Sequence, residues 1–109
     1  MGKYIHLVKL PFGKDEAARR IGDWLRSGET FMKVREKRSD FVRLKGRFGP
    51  FLAKSELTFD LYFMRDAIRF ECWIGNVVKY SIEPESYFGM YPRDIAWAEY
   101  QKLMDALRG

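Results

Sequence analysis

Apolar and polar residues alternate along several stretches of this chain, which is the pattern of strands with one buried face. In the clearest stretch, residues 57–63, every second residue is a leucine or phenylalanine. A second stretch, residues 67–74, follows after the short loop Arg65-Asp66. A two-residue loop pairs these stretches as a hairpin in which Phe63 lies opposite Ile68, so the apolar faces coincide.

Shorter alternating runs predict further strands at residues 3–9, 31–37, 41–48 and 78–82, the last after a turn at residues 75–77. Two runs with apolar residues at helical spacing predict helices. The first starts near Asp15, which we expect to cap it, and ends at Gly28 in a left-handed conformation. The second runs from Pro92 to the last residues of the sequence.

The predicted fold is therefore a single α+β domain, residues 1–109, of the order β-α-β-β-β-β-β-α. Strands with one apolar face need cover on that side, so the two helices are expected to lie on one face of an antiparallel meander of about six strands. This order resembles the helix-grip fold of START-like lipid-binding domains and short granule-associated polyhydroxyalkanoate proteins. The resemblance is one of topology and implies the fold rather than a function.

The positive charge of the chain is concentrated in one predicted hairpin. The formal net charge is +5 for the 109 residues, and between Lys33 and Arg47 there are seven Lys or Arg and two acidic residues. The rest of the chain contains 13 bases and 13 acids. With a three-residue loop at residues 38–40 and Lys37 opposite Phe41, one face of this hairpin would be basic and the other apolar.

A basic face of this kind is suited to an acidic partner such as nucleic acid or another anionic surface, and Phe31 and Phe41 are candidates for base stacking. The alternative is a solvated face whose charges protect the strands from aggregation. The chain lacks the RNP and KH motifs of sequence-specific RNA-binding domains. The predicted anion-binding residues are Lys33, Arg35, Lys37, Arg43, Lys45 and Arg47.

The hairpin of residues 57–74 places Asp60 opposite Glu71, with Arg69 and Trp73 at the diagonal positions. Two opposed carboxylates are the pattern of an acid/base pair with separated pKa values, which is the enzymatic hypothesis. The competing interpretation is a charge network in which Arg69 and Lys79 offset the acids. Since no nucleophile with an adjacent base is recognisable, we expect a protein that is not an enzyme.

An apolar-ligand carrier is the alternative function. In a helix-grip arrangement, the aromatic-rich connector before the second helix would close a cavity or simply seal the core, through Tyr87, Phe88, Met90 and Tyr91. The predicted pocket residues are Trp24, Phe70, Tyr80 and Trp97.

Composition narrows the remaining classes of protein. The chain is 47% hydrophobic with a single cysteine, Cys72, and a single histidine, His6. This rules out an internal disulfide framework and gives no zinc ligand set, so neither a metal nor a cofactor is expected. We expect Cys72 to be buried and His6 to be structural. The sequence contains no signal-like or membrane-spanning stretch, which predicts a cytoplasmic protein of undetermined oligomeric state.

Overall fold

The fold is that of a computed structural model, which describes residues 2–49, 55–75, 79–82 and 91–108. Most of the predicted connector, residues 83–90, and most of the predicted turn after Gly75 lie outside the described residues. The elements in chain order are β1 (Tyr4–Lys9), α1 (Lys14–Arg26), β2 (Lys33–Arg38), β3 (Phe41–Phe48), β4 (Ser55–Phe63), β5 (Ala67–Ile74) and α2 (Tyr91–Arg108).

The strands form one antiparallel sheet in the order β1-β5-β4-β3-β2. The α+β class is thus confirmed, with β2 to β5 as a meander. The predicted sixth strand at residues 78–82 is wrong, since the described part of that run makes only one bridge, between Ile74 and Tyr80. The edge of β5 is instead occupied by β1, which pairs with it from Tyr4 to Lys9.

The pairing of β4 with β5 has the predicted register, with Phe63 opposite Ile68 and Phe59 opposite Cys72. Its turn is closed by a hydrogen bond of 2.8 Å from the Met64 N–H to the Ala67 carbonyl. This register holds because a shift by one residue would move every apolar side chain of either strand to the other face.

Both helices cover the same face of the sheet, which we call the inner face. Tyr100 of α2 lies at its centre, with its ring edge-on to Phe59 at 6.0 Å and to Phe70 at 5.8 Å between centroids. From α1, Ile21 and Trp24 are buried in the same core. The opposite face of the sheet, the outer face, carries the side chains considered below as a site.

The start of α1 differs from the prediction, whereas its end agrees with it. The N-cap residue is Gly13, which has no side chain to cap the helix, so the predicted capping by Asp15 is wrong. Asp15 instead lies in the first turn, where a negative charge is favourable next to the helix dipole. The predicted end is confirmed, because Gly28 follows the helix with a φ of +82°.

The chain after α1 crosses closely over β3, at Gly46. A Cβ atom at Gly46 would lie 2.8 Å from the Phe31 carbonyl oxygen and 2.8 Å from the Met32 sulfur. Glycine is therefore required here by the close approach of another segment. This crossing places Met32 in the core and leads directly into the basic strand β2.

Candidate anion-binding surface

The basic hairpin consists of β2 and β3, joined by a two-residue turn at Ser39 and Asp40. Arg38 pairs with Phe41 and Lys37 with Val42, so the predicted three-residue loop is wrong. A bulge between Val34 and Glu36 shifts the register by one residue. The predicted single basic face is consequently wrong as well: Lys37 shares the inner face with Val42, while Glu36 and Arg38 share the outer face with Arg43.

The reason for this shift is that β2 has no burial preference. All six of its residues are exposed, and five of the six are charged. A strand without a buried side is weakly pinned in register, because a bulge exposes nothing that was buried.

Three of the hairpin cations are held by carboxylates. Arg43 binds Asp60, Lys45 lies 3.4 Å from Glu56, and Arg38 lies 2.9 Å from Glu36. The first of these is the strongest, with hydrogen bonds of 2.7 and 2.8 Å to the two oxygens of Asp60. These hydrogen bonds raise the pKa of the Arg43 guanidinium. Arg43 thus stabilises the sheet and is not free for a partner.

The other four hairpin cations, Lys33, Arg35, Lys37 and Arg47, are exposed. Within the described residues no carboxylate lies within ion-pair distance of any of them. The acid of the turn, Asp40, is bound by Lys14 of α1 at 2.8 Å, so it does not offset them. The positive charge of the hairpin is therefore available on both faces of its edge strand and at the end of β3.

The aromatic residues of the hairpin are not available for stacking. Phe41 is buried on the outer face against Tyr62, with 4.9 Å between ring centroids, and Arg38 covers its ring at 4.6 Å. Phe31 packs on Phe48 at 5.5 Å between centroids, at the margin of the core. The hairpin therefore presents cations to a partner without exposed aromatic rings.

On the outer face, Asp60 lies opposite Glu71, as predicted. Each acid has its own cations: Asp60 is bound by Arg43, whereas Glu71 is bound by Lys3 at 3.0 Å and by Arg69 at 3.2 Å. Both carboxylates are therefore ion-paired, as in the charge-network interpretation. The sequence predicts the pairing of β4 with β5 but not the ion pair of Arg43 with Asp60. The reason is that the register of β3 against β4 is not visible in the sequence.

Trp73 is the centre of this outer-face network. It is buried although neither described helix covers this face, and Lys79 and Lys3 cover its ring at 4.6 and 4.8 Å from the centroid. Lys79, expected to offset the acids, instead makes this cation–π contact. The neighbouring Thr58 is fully buried, and its hydroxyl makes no hydrogen bond to the described residues.

The single histidine and the single cysteine of the chain both contact the core. His6 accepts or donates one hydrogen bond of 2.5 Å between its Nδ1 and the Tyr100 hydroxyl. Cys72 is fully buried, as predicted, and burial raises the pKa of its thiol. A protonated thiol without solvent contact is not a nucleophile.

The four residues of the predicted apolar pocket lie in different surroundings. Phe70 is inside the core, and Trp97 packs on Tyr4 at 5.3 Å and on Tyr100 at 5.5 Å between centroids. Tyr80 is 46% exposed, so it is not part of the interior. Trp24 borders an open groove of about 390 Å³ whose other residues are mostly polar: Arg19, Arg20, Asp23, Ser27, Glu29 and Ala106.

No family model matches this chain, and neither a curated protein nor a solved structure matches it. The helix-grip resemblance therefore rests on topology alone. Neither described helix is long and apolar enough to cross a membrane.

Proposed function

We propose that this domain binds the phosphate backbone of a nucleic acid through the β2–β3 hairpin. The observation that carries the proposal is the set of four exposed cations, Lys33, Arg35, Lys37 and Arg47, without a carboxylate partner in the described structure. Cations that are free in the unbound protein can neutralise phosphates and release condensed counterions without first breaking an ion pair.

The geometry favours contacts to the backbone over the reading of bases. The ring of Phe41 is buried, and the ring of Phe31 is partly buried against Phe48, so bases have no fully exposed ring of the hairpin to stack on. Lys and Arg on an exposed edge strand can contact phosphates in any sequence. We therefore expect binding with little sequence preference.

The test is fluorescence anisotropy with labelled duplex and single-stranded DNA and RNA over a series of salt concentrations. If all four free cations contact phosphates of duplex DNA, the slope of log K against log salt is expected to be roughly −3 to −4. Lys33→Glu with Arg35→Glu should weaken binding strongly and reduce that slope by roughly 2.

The control variant has to change the net charge of the protein by the same amount at a site away from the hairpin. Arg65 and Arg108 are exposed and make no ion pair within the described residues, so Arg65→Glu with Arg108→Glu gives the same change in net charge. Variants of Arg43 are unsuitable, because its loss would leave the buried Asp60 without a partner.

The proposal fails if the chain binds none of these nucleic acids at low salt, or if the control pair weakens binding as much as the hairpin pair. Binding to vesicles of anionic lipid with no binding to nucleic acid would contradict the proposal and assign the hairpin to a membrane surface. A charge effect that depends on position would support it.

A further inference from the structure

The sheet has two edges of very different character. β2 forms one edge, and all of its residues except Val34 are charged. β1 forms the other edge, with Ile5 60% and Leu7 53% exposed at its middle. Charged residues on an edge strand prevent pairing with other strands, and the middle of β1 lacks that protection.

Within the part of the chain that the structure describes, the backbone of β1 has unpaired groups at these same two residues. The Leu10 N–H donates a hydrogen bond to the Asp66 carbonyl, so the even-numbered residues of β1 direct their backbone groups to β5. The N–H and C=O groups of Ile5 and Leu7 therefore point to the free edge. The exposed side chains and the free backbone groups belong to the same residues.

We propose that the free edge of β1 pairs with β1 of a second copy of this chain, about a two-fold axis that passes between the His6 residues of the two copies. Residues 3–9 read KYIHLVK, which is symmetric about His6 in the order of charged and apolar positions. Antiparallel pairing about this axis sets Ile5 of each copy opposite Leu7 of the other. Ile5 and Leu7 of opposite copies then exchange backbone hydrogen bonds, and their apolar side chains lie next to each other.

The symmetry of the strand favours a second copy over an unrelated strand, because the apolar residues of each copy meet apolar residues of the other. The cost lies at the ends, where Lys3 meets Lys9 of the second copy. Lys3 is already bound to Glu71, which reduces this repulsion. Pairing of β1 with the β2 edge of another copy is disfavoured, since it would bring Lys3 and Lys9 against the charged residues of β2.

The resulting dimer has one continuous sheet of ten strands, with the basic hairpins at its two ends. At a strand spacing of about 4.8 Å, the two β2 strands lie about 43 Å apart. A contact of one strand from each copy is smaller than a standard interface, so we expect a weak dimer with a dissociation constant in the micromolar range. Salt should strengthen it by screening the lysines, whereas salt weakens nucleic-acid binding.

Sedimentation velocity over about two decades of protein concentration tests the dimer. The unchanged chain should shift from monomer to dimer. Leu7→Glu places a carboxylate opposite Arg69 in its own chain, and Ile5→Lys places an amine opposite Glu71, so both variants should fold. Each should raise the dissociation constant at least about tenfold, because each puts a charge opposite an apolar residue of the second copy.

Mixing the two variants tests the register. A heterodimer of the Ile5→Lys chain with the Leu7→Glu chain brings the new amine opposite the new carboxylate, and association should return. Val34→Glu is the matched control, since Val34 is 51% exposed on the opposite edge, and it should dimerise as the unchanged chain does.

A chain that remains monomeric at every concentration overturns the proposal, and so does association that Leu7→Glu leaves unchanged. A mixture that stays monomeric overturns the register. Sedimentation is measured without nucleic acid, so its outcome is independent of the proposed function.

Discussion

Arg43 of β3 and Asp60 of β4 lie directly opposite each other on the outer face of the sheet. The guanidinium donates hydrogen bonds of 2.7 and 2.8 Å to the two carboxylate oxygens, and Asp60 is 1% exposed. A carboxylate this deeply buried requires a partner for each oxygen. The most basic segment of the chain is thereby attached to the centre of the sheet by one of its own cations.

Arg43→Ala is expected to reduce the free energy of unfolding by about 3 kcal/mol, because it leaves the Asp60 carboxylate buried without its cation. Arg43→Lys should restore only part of this loss, since an ammonium cannot make the same two parallel hydrogen bonds. Urea unfolding followed by circular dichroism measures both.

Lys45→Ala is the control for Arg43→Ala. Lys45 lies on the same strand and face, but it is 3.4 Å from Glu56, and both side chains are partly exposed. A partly solvated pair of this kind should contribute less than about 1 kcal/mol. An equal loss for both variants would contradict the special importance of the Arg43–Asp60 pair.

Gly46→Ala is expected to destabilise the fold by about 2 kcal/mol or more. The added Cβ would lie 2.5 Å from the Phe31 ring and 2.8 Å from the Phe31 carbonyl oxygen. A backbone oxygen cannot rotate away as a side-chain end can, so β3 and the segment that crosses it must separate. A lowered midpoint of thermal unfolding is the measurement.

Gly22→Ala is the corresponding change in a helix and should have the opposite sign. Its Cβ would meet only the guanidinium of Arg26, at 3.2 Å, and Arg26 is a flexible exposed side chain. Alanine in the middle of α1 should stabilise the protein by up to about 1 kcal/mol through its helix propensity. A loss of stability for Gly22→Ala would contradict this expectation and show that the Arg26 side chain does not move aside.

The sequence predicts those parts of the fold in which burial leaves a single choice. The register of β4 against β5 follows from two apolar stripes and a two-residue loop, and the end of α1 follows from Gly28. The bulge after Val34 was not predictable, because β2 is exposed on both faces and either register exposes the same residues. The place of β1 beside β5 was missed because such a pairing joins distant parts of the chain.

The candidate site was predictable in its charge and not in its partners. The concentration of bases between Lys33 and Arg47 is visible by counting. Which of these bases are free depends on contacts with other elements of the fold. Arg43 is bound to Asp60 of the neighbouring strand. Asp40, in contrast, is bound by Lys14 of α1 and therefore does not offset the hairpin bases. Only the fold distinguishes a cation that stabilises a carboxylate from one that is available to a partner.

Thr58→Val is expected to stabilise the protein by about 1 kcal/mol. The Thr58 hydroxyl is fully buried on the outer face and makes no hydrogen bond within the described structure, so it loses the hydration it has in the unfolded chain. A methyl group has nearly the same size and removes that cost. Chemical denaturation measures the change, and a loss of stability would reveal a partner for the hydroxyl.

Tyr100→Phe tests the buried contact between β1 and α2. The Tyr100 hydroxyl lies 2.5 Å from His6 Nδ1, and loss of this bond leaves a partly buried ring nitrogen without it. We expect a loss of about 1 kcal/mol at neutral pH. At alkaline pH the difference should become smaller, because burial raises the pKa of Tyr100 above its ordinary value of 10.0.

The direction of this pH dependence follows from the number of protons that the folded and the unfolded chain bind. Above pH 10 the unfolded chain releases the proton of Tyr100 while the folded chain retains it, so stability falls as pH rises. Phenylalanine cannot ionise, and the variant should lose less stability than the unchanged chain between neutral pH and pH 11. Unfolding midpoints of both chains across this range measure the difference. Parallel curves would show that Tyr100 ionises in the folded protein as it does in water.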